Sequence, residues 1–243
     1  MTVGFVGYTN AGKSSLFQRL SGKPVLVQDQ LFSTLETTVG RMEKSPRILL
    51  ADTIGFIDNI PNATLSAFKA TIAEAINADL TLVLLDASDS LPEVQRKLET
   101  TQREVMERQH EDGEPLDERP SPTVVLTKLD LVEDDQLQSA IRAVEAAGFD
   151  TPLALSTHTG EGVEALQELI RKRLFGEPSQ LIIQPPNKHQ MDASERIIAD
   201  VYDHGMVDQN EISDEGTVHM VVWLTRTSQA QLTARWKSRI DIK

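Results

Sequence analysis

Gly7-Tyr8-Thr9-Asn10-Ala11-Gly12-Lys13-Ser14 decides the reading of this chain. The spacing is GxxxxGK[ST]. The apolar run Thr2–Val6 comes before it, and Lys13–Ser21 after it carries Leu16, Phe17 and Leu20 at helical spacing. A buried strand, a glycine loop and a helix in that order predict a phosphate cradle. The glycines let the backbone turn its N–H groups inward, and the helix adds the positive end of its dipole. Lys13 is expected to reach the β and γ phosphates of a nucleotide, and Ser14 to place a hydroxyl on Mg²⁺. Ser15 follows on the same helical turn and is grouped with the loop.

Outward from this loop, Asp52-Thr53-Ile54-Gly55 closes a second apolar run, Arg47–Ala51. An Asp at that place can hold Mg²⁺ through a water, as a Walker-B Asp does. Gly55 is small enough to bring a backbone N–H to a γ-phosphate. Between the two lies Phe32-Ser33-Thr34-Leu35-Glu36-Thr37-Thr38. A switch loop needs one Thr that meets both metal and γ-phosphate. Thr34, Thr37 and Thr38 compete for the role, and spacing does not choose among them.

Thr127-Lys128-Leu129-Asp130 follows the apolar Thr123–Leu126. Asp130 can accept hydrogen bonds from the N1–H and 2-amino group of guanine. Adenine has neither donor there, so the carboxylate would be left unpaired against it. The alkyl stem of Lys128 can lie along the base. The usual pattern is NKxD, in which Asn ties this loop to the phosphate loop. Thr127 has a shorter reach, so weaker affinity with unchanged base choice is expected. Ser156-Thr157-His158 follows Leu153–Leu155 and resembles the SAx loop, whose backbone contacts guanine O6. His158 reads as a loop residue, because nothing near it in sequence serves as base or orienter.

The rest of the chain fits an α/β protein. Leu80–Leu85 is a strand, and Pro92 suits the start of a helix running toward Gln109. Leu65–Ala78, Asp135–Ala147 and Gly162–Phe175 have helical spacing, and Glu111–Pro122 is a loop. Strands alternating with helices predict a mostly parallel sheet covered on both faces. A boundary near Gly176 divides residues 1–176, a nucleotide-binding domain, from residues 177–243, a small α/β appendage of roughly 65 residues. In the appendage the expected elements are a strand (Leu181–Ile183), a helix (Ala193–His204), a strand (Val218–Leu224) and a helix (Gln229–Ser238).

Of 243 residues, 40% are hydrophobic and 25% charged, which is ordinary globular composition. There is no Cys, which excludes disulfides, Cys zinc sites and thiol catalysis and fits a cytoplasmic protein. Thirty-seven acidic residues against 24 basic give a net charge of −13. Such a balance serves solubility, with adaptation to high salt as the other reading, and offers no basic surface for DNA. No stretch approaches the length of a membrane span, and Met-Thr-Val-Gly-Phe has no signal-peptide pattern.

The order of these motifs resembles that of the translation-factor-related P-loop GTPases. The strings GYTNAGKSSLF, DQLFSTLETT and DTIGFI narrow the resemblance to the HflX family, near relatives of Obg. It covers residues 1–176 strongly and the appendage more weakly. The resemblance implies that Thr34 is the switch threonine on Mg²⁺ and that Phe32–Glu36 lie along the nucleotide. It implies GTP hydrolysis, with Lys13, Thr34 and Gly55 at the reacting phosphate, and association with the large ribosomal subunit in splitting or rescue. The family carries an N-terminal domain and helical linker ahead of this first strand, whereas this sequence opens at the strand.

Two features shape the expected rate. Phe56 stands just after DxxG, where many GTPases place a water-orienting Gln, so slow intrinsic turnover is expected. A nucleotide-gated binding module with negligible hydrolysis is the alternative. Asn10 either caps the loop or ligates K⁺ as a stand-in for an arginine finger. Equal turnover in K⁺ and Na⁺ would remove the second idea.

Overall fold

The computed structural model describes residues 1–22, 38–43, 48–52, 73, 75–111, 121–185 and 191–243. Six strands form the first sheet: β1 (Thr2–Gly7), β2 (Thr38–Glu43), β3 (Ile48–Asp52), β4 (Leu80–Asp86), β5 (Thr123–Thr127) and β6 (Leu153–Ala154). Their order is β2-β3-β1-β4-β5-β6. The pairs β1–β3, β1–β4, β4–β5 and β5–β6 are parallel. Among the described residues the helices are α1 (Lys13–Ser21), α2 (Leu91–Glu111) and α3 (Asp134–Ala146) between these strands and α4 (Val163–Phe175) after β6.

Strand β4 explains why the sheet is central. All seven of its residues are buried. Val83 and Leu85 pack with Val94 and Leu98 of α2 and with Ala140 and Val144 of α3. Leu82 and Leu84 point to the opposite face by strand alternation and are also out of water. A strand covered on both faces reads as a continuous apolar run, as LTLVLLD does. Helix ends follow their glycines: Gly148 and Gly176 adopt left-handed φ values of 88° and 83° just past α3 and α4. The glycine at position 4 lets β1 pass close to a neighbour, since a Cβ there would sit 2.1 Å from the Ala75 carbonyl oxygen.

The chain divides into two compact units, the first covering Met1–Met42 and Ile48–Gln167, the second Glu43–Arg47 and Glu168–Lys243. The second unit has its own sheet of β7 (Ser179–Ile183), β8 (Gly205–Ile212), β9 (Val218–Leu224) and β10 (Ile240–Ile242), ordered β10-β7-β9-β8 and antiparallel throughout. Ile197 and Val201 of α5 (Met191–His204) and Leu232 of α6 (Arg226–Trp236) pack on Leu181, Ile183, Val218, Met220 and Val222.

Three strands were not expected. Thr38 falls in the stretch expected to be a switch loop, yet it opens β2. There Gly40 is buried, and a Cβ would meet the Phe17 ring at 2.5 Å. β8 is an edge strand whose Asp208, Gln209, Asn210 and Glu211 are exposed, so it lacks the apolar alternation of a half-buried strand. β10 has three residues, too few to show a period. The expected helix over Leu65–Ala78 lies largely outside the described residues.

Candidate functional site

Parallel strands leave their carboxyl ends at one edge of a sheet, and a ligand crevice forms there. Here that edge carries Gly7 at the end of β1, Asp52 at the end of β3, Asp86 at the end of β4, Thr127 at the end of β5 and Ser156 shortly after β6.

The phosphate loop turns back on itself through the Ala11 N–H, which donates to the Tyr8 carbonyl at 3.2 Å. Two residues accept left-handed backbone within it, Asn10 at φ 65° and Gly12 at φ 82°. Gly7 is required by approach as well, since a Cβ would lie 2.4 Å from the Leu84 carbonyl oxygen. Gly12 caps α1, so Lys13, Ser14 and Ser15 occupy its first turn. Thr9 is half-buried and Asn10 exposed.

Lys13 is 6% exposed. Its Nζ donates to the carbonyls of Gly7 at 3.1 Å and Tyr8 at 2.7 Å. Burial pushes its pKa down from 10.5 to about 8, and the Asp52 carboxylate opposes that shift. Asp52 is buried at the end of β3. A buried ammonium beside a carboxylate and a helix N-terminus can receive an anion. Ser14 and Asp52 offer hard oxygen donors of the type Mg²⁺ takes, usually beside phosphate oxygens rather than in an all-protein cage. Among the described residues no cluster of three His, Cys, Asp or Glu could hold a metal by itself.

The second half of the site is the pair of loops after β5 and β6. The Thr127 hydroxyl is buried within hydrogen-bond distance of the Ala11 carbonyl (3.0 Å) and the Leu85 carbonyl (3.1 Å). Thr127 therefore reaches the phosphate loop despite its short side chain. Lys128 adopts φ 60°, and Leu129–Leu131 make a single 3₁₀ turn. The Leu129 N–H donates to Leu155 O at 3.1 Å, and Leu155 N–H to Leu126 O at 2.8 Å, which sets the two loops side by side.

Asp130 accepts a short hydrogen bond from the hydroxyl of fully buried Ser156. That bond holds its carboxyl below the usual Asp range, with burial opposing it. The Ser156 oxygen in turn accepts from the backbone N–H of His158 at 3.2 Å and Thr159 at 3.1 Å. Thr157 is half-buried, and His158 is exposed. An ionised acceptor is thus presented to solvent on a fixed turn.

Phe32, Ser33, Thr34, Leu35, Glu36, Thr37, Thr53, Ile54, Gly55 and Phe56 lie outside the described residues, and Thr38 opens β2. Sequence reasoning missed Asp86, although a carboxylate ending a buried strand is the same signal that picked out Asp52. Arg19 was also missed. It lies over the loop after β6, where a Cβ on Gly160 would sit 2.2 Å from its guanidinium. Nor were Arg96 and Lys97 of α2 singled out, which lie 5.1 Å and 5.6 Å from the centre of the Tyr8 ring.

Residues 2–128 match the family described as "50S ribosome-binding GTPase", which defines the class of the first unit as a P-loop GTPase domain. Residues 142–239 match the "HflX C-terminal domain". The chain belongs to the HflX family of GTPases. It is 35% identical to GTPase HflX of Akkermansia muciniphila over 89% of this chain and 47% of that protein. With GTPase HflX of Escherichia coli K12 it shares 31% identity over 99% of this chain and 53% of that one. The chain thus spans about half the length of these curated relatives. A crystal structure of a GTP-binding protein from Sulfolobus solfataricus in complex with GDP superposes with a TM-score of 0.54 at 26% identity, over 71% of this chain and 52% of that one. No helix among the described residues is long and apolar enough to cross a membrane.

Proposed function

We propose that this chain binds GTP and GDP with Mg²⁺ and hydrolyses GTP slowly, with the large ribosomal subunit as the partner that accelerates it. The observation that carries the reading is the contact between the Thr127 hydroxyl and the Ala11 carbonyl, 3.0 Å apart. It ties the loop after β1 to the turn after β5 at one sheet edge, which supports reading the first as the phosphate binder and the second as the base reader of one nucleotide.

In this reading the backbone of Gly7–Gly12 cradles the phosphates, and Lys13 turns part of its ammonium from the loop carbonyls to the β and γ oxygens. Ser14, Thr34 and, through a water, Asp52 would hold Mg²⁺, which would neutralise charge on those oxygens. Gly55 brings its N–H toward the γ-phosphate. Asp130 accepts from the guanine edge, Lys128 lies along the base, and Ser156–His158 frame its far side. Phe56 cannot orient a water, so intrinsic turnover is slow and a partner has room to raise it. The same residue favours the second reading, a GTP-gated binding module in which hydrolysis is incidental. Turnover measured with and without ribosomal subunits separates the two.

Competition of ATP against fluorescent GDP and GTP analogues tests the site. The parent chain should prefer guanine nucleotides by about 10⁴-fold, a range known for sites whose polar group is left unpaired once the wrong ligand covers it. Asp130→Ala should lose that preference. ATP competing equally with GTP would defeat the base-reading assignment.

A further inference from the structure

We propose that Asp86 is a positioning residue for the base-reading turn, acting through Lys128; the proposal rests on the GTP-site reading above. Asp86 ends β4 and is 7% exposed. Its two carboxylate oxygens have separate tasks. Oδ1 accepts from the Ser88 backbone N–H at 2.9 Å and from the Ser88 hydroxyl at 2.6 Å, closing the turn that follows the strand. Oδ2 stands 2.5 Å from Nζ of Lys128.

Lys128 is in an unusual place for such a contact. Its backbone is left-handed at φ 60°, a conformation a side chain with a Cβ adopts at a cost. It sits between Thr127, which touches the phosphate loop, and Asp130, which accepts from Ser156 and in the GTP-site reading faces the base. Its ammonium carries three donors on a flexible four-carbon stem. Left to itself in water, that stem would sample many rotamers, and ordering it would weaken binding. Asp86 removes that freedom before any nucleotide arrives. Parallel pairing supplies the geometry, since Asp86 and Thr127 are register partners across β4 and β5, and the Ala87 N–H donates to Thr127 O at 3.0 Å. An exposed ion pair contributes little, but here one partner is buried and already hydrogen-bonded, so its position is set by the fold.

The division of labour on Asp86 provides the test. Asp86→Asn keeps an acceptor for Ser88 but places an NH₂ against the Lys128 ammonium, so it removes the pair and spares the turn. Affinity for GDP and GTP should fall about tenfold, a 1.4 kcal/mol change. The preference for guanine over inosine and adenine nucleotides should stay at the parent value, unlike in Asp130→Ala. Lys128→Met should show a similar loss, and adding Asp86→Asn to it should change nothing further, because the two act as one unit. Asp86→Asn binding as tightly as the parent would overturn the proposal, as would a full second loss in the double variant. A parent chain that binds no guanine nucleotide would instead defeat the GTP-site reading itself.

Discussion

Lys13 has left bulk water and holds its proton against that loss. Two carbonyls and the nearby Asp52 compensate only in part, so its pKa falls to about 8. Phosphate oxygens would restore the proton, so nucleotide binding should take up protons wherever free Lys13 is partly neutral. Affinity for GDP should therefore weaken as pH rises above about 8. Calorimetry in buffers of different ionisation heat should register proton uptake at pH 9 and almost none from Lys13 at pH 6. Unchanged affinity across that window would show that Lys13 does not meet the phosphates. For the protein alone the sign is reversed. Above about 8 the unfolded lysine still binds a proton that the folded one has released, so its contribution to stability rises until pH passes the unfolded value of 10.5. The places of Lys13 at a helix start, Asp52 at a strand end and Asp130 in a turn after a strand were legible, because short apolar runs and glycines mark those boundaries. Asp86 had the position but no neighbouring motif, and its partner is 42 residues away in sequence.

At the scale of elements, the second unit depends on how α5 meets α6. Asp200 on α5 accepts from the Trp236 indole N–H at 2.6 Å and the Arg235 guanidinium at 2.6 Å. Burial opposes its ionisation, but these bonds outweigh that and hold its carboxyl below the ordinary Asp range. Asp200→Ala should cost about 2 kcal/mol, chiefly by stranding the indole donor. Denaturant unfolding followed by Trp fluorescence would measure it, and a change under about 0.5 kcal/mol, the usual size for surface substitutions, would show the contact to be incidental. A depressed carboxylate contributes stability above its unfolded value, and that contribution is lost as pH falls through the folded one. The unit should therefore lose stability on acidification below about pH 4. Of its elements, β9 was legible at both ends because Val218, Met220 and Val222 alternate toward the core. β8 was invisible because an edge strand with polar exposed residues carries no such period.

On the whole-molecule scale, charge constrains the proposed partner. The net charge is −13, and ribosomal RNA is a polyanion, so counterion release offers little drive for binding. Turnover of GTP by this chain should rise on adding large ribosomal subunits, and the stimulation should change little with salt. A steep fall between 50 and 200 mM salt would point to a basic RNA-contacting surface instead. Turnover unmoved by subunits would favour the binding-module reading.

The expected chemistry of the loops is local in the chain. GxxxxGK[ST], the strand-ending Asp52 and TKLD each sit within a few consecutive residues, where spacing alone dictates which groups converge. The same local logic set the alternation of strand and helix in the first unit. Which loops meet depends instead on how the strands are ordered in the folded sheet. Thr127 reaches Ala11 across 116 residues because β1, β4 and β5 lie side by side, an order that skips the chain's own sequence of strands. That same order places Lys128 on Asp86. Strand order follows from burying β4 on both faces and both edges, a cooperative requirement of the whole core that no short stretch encodes.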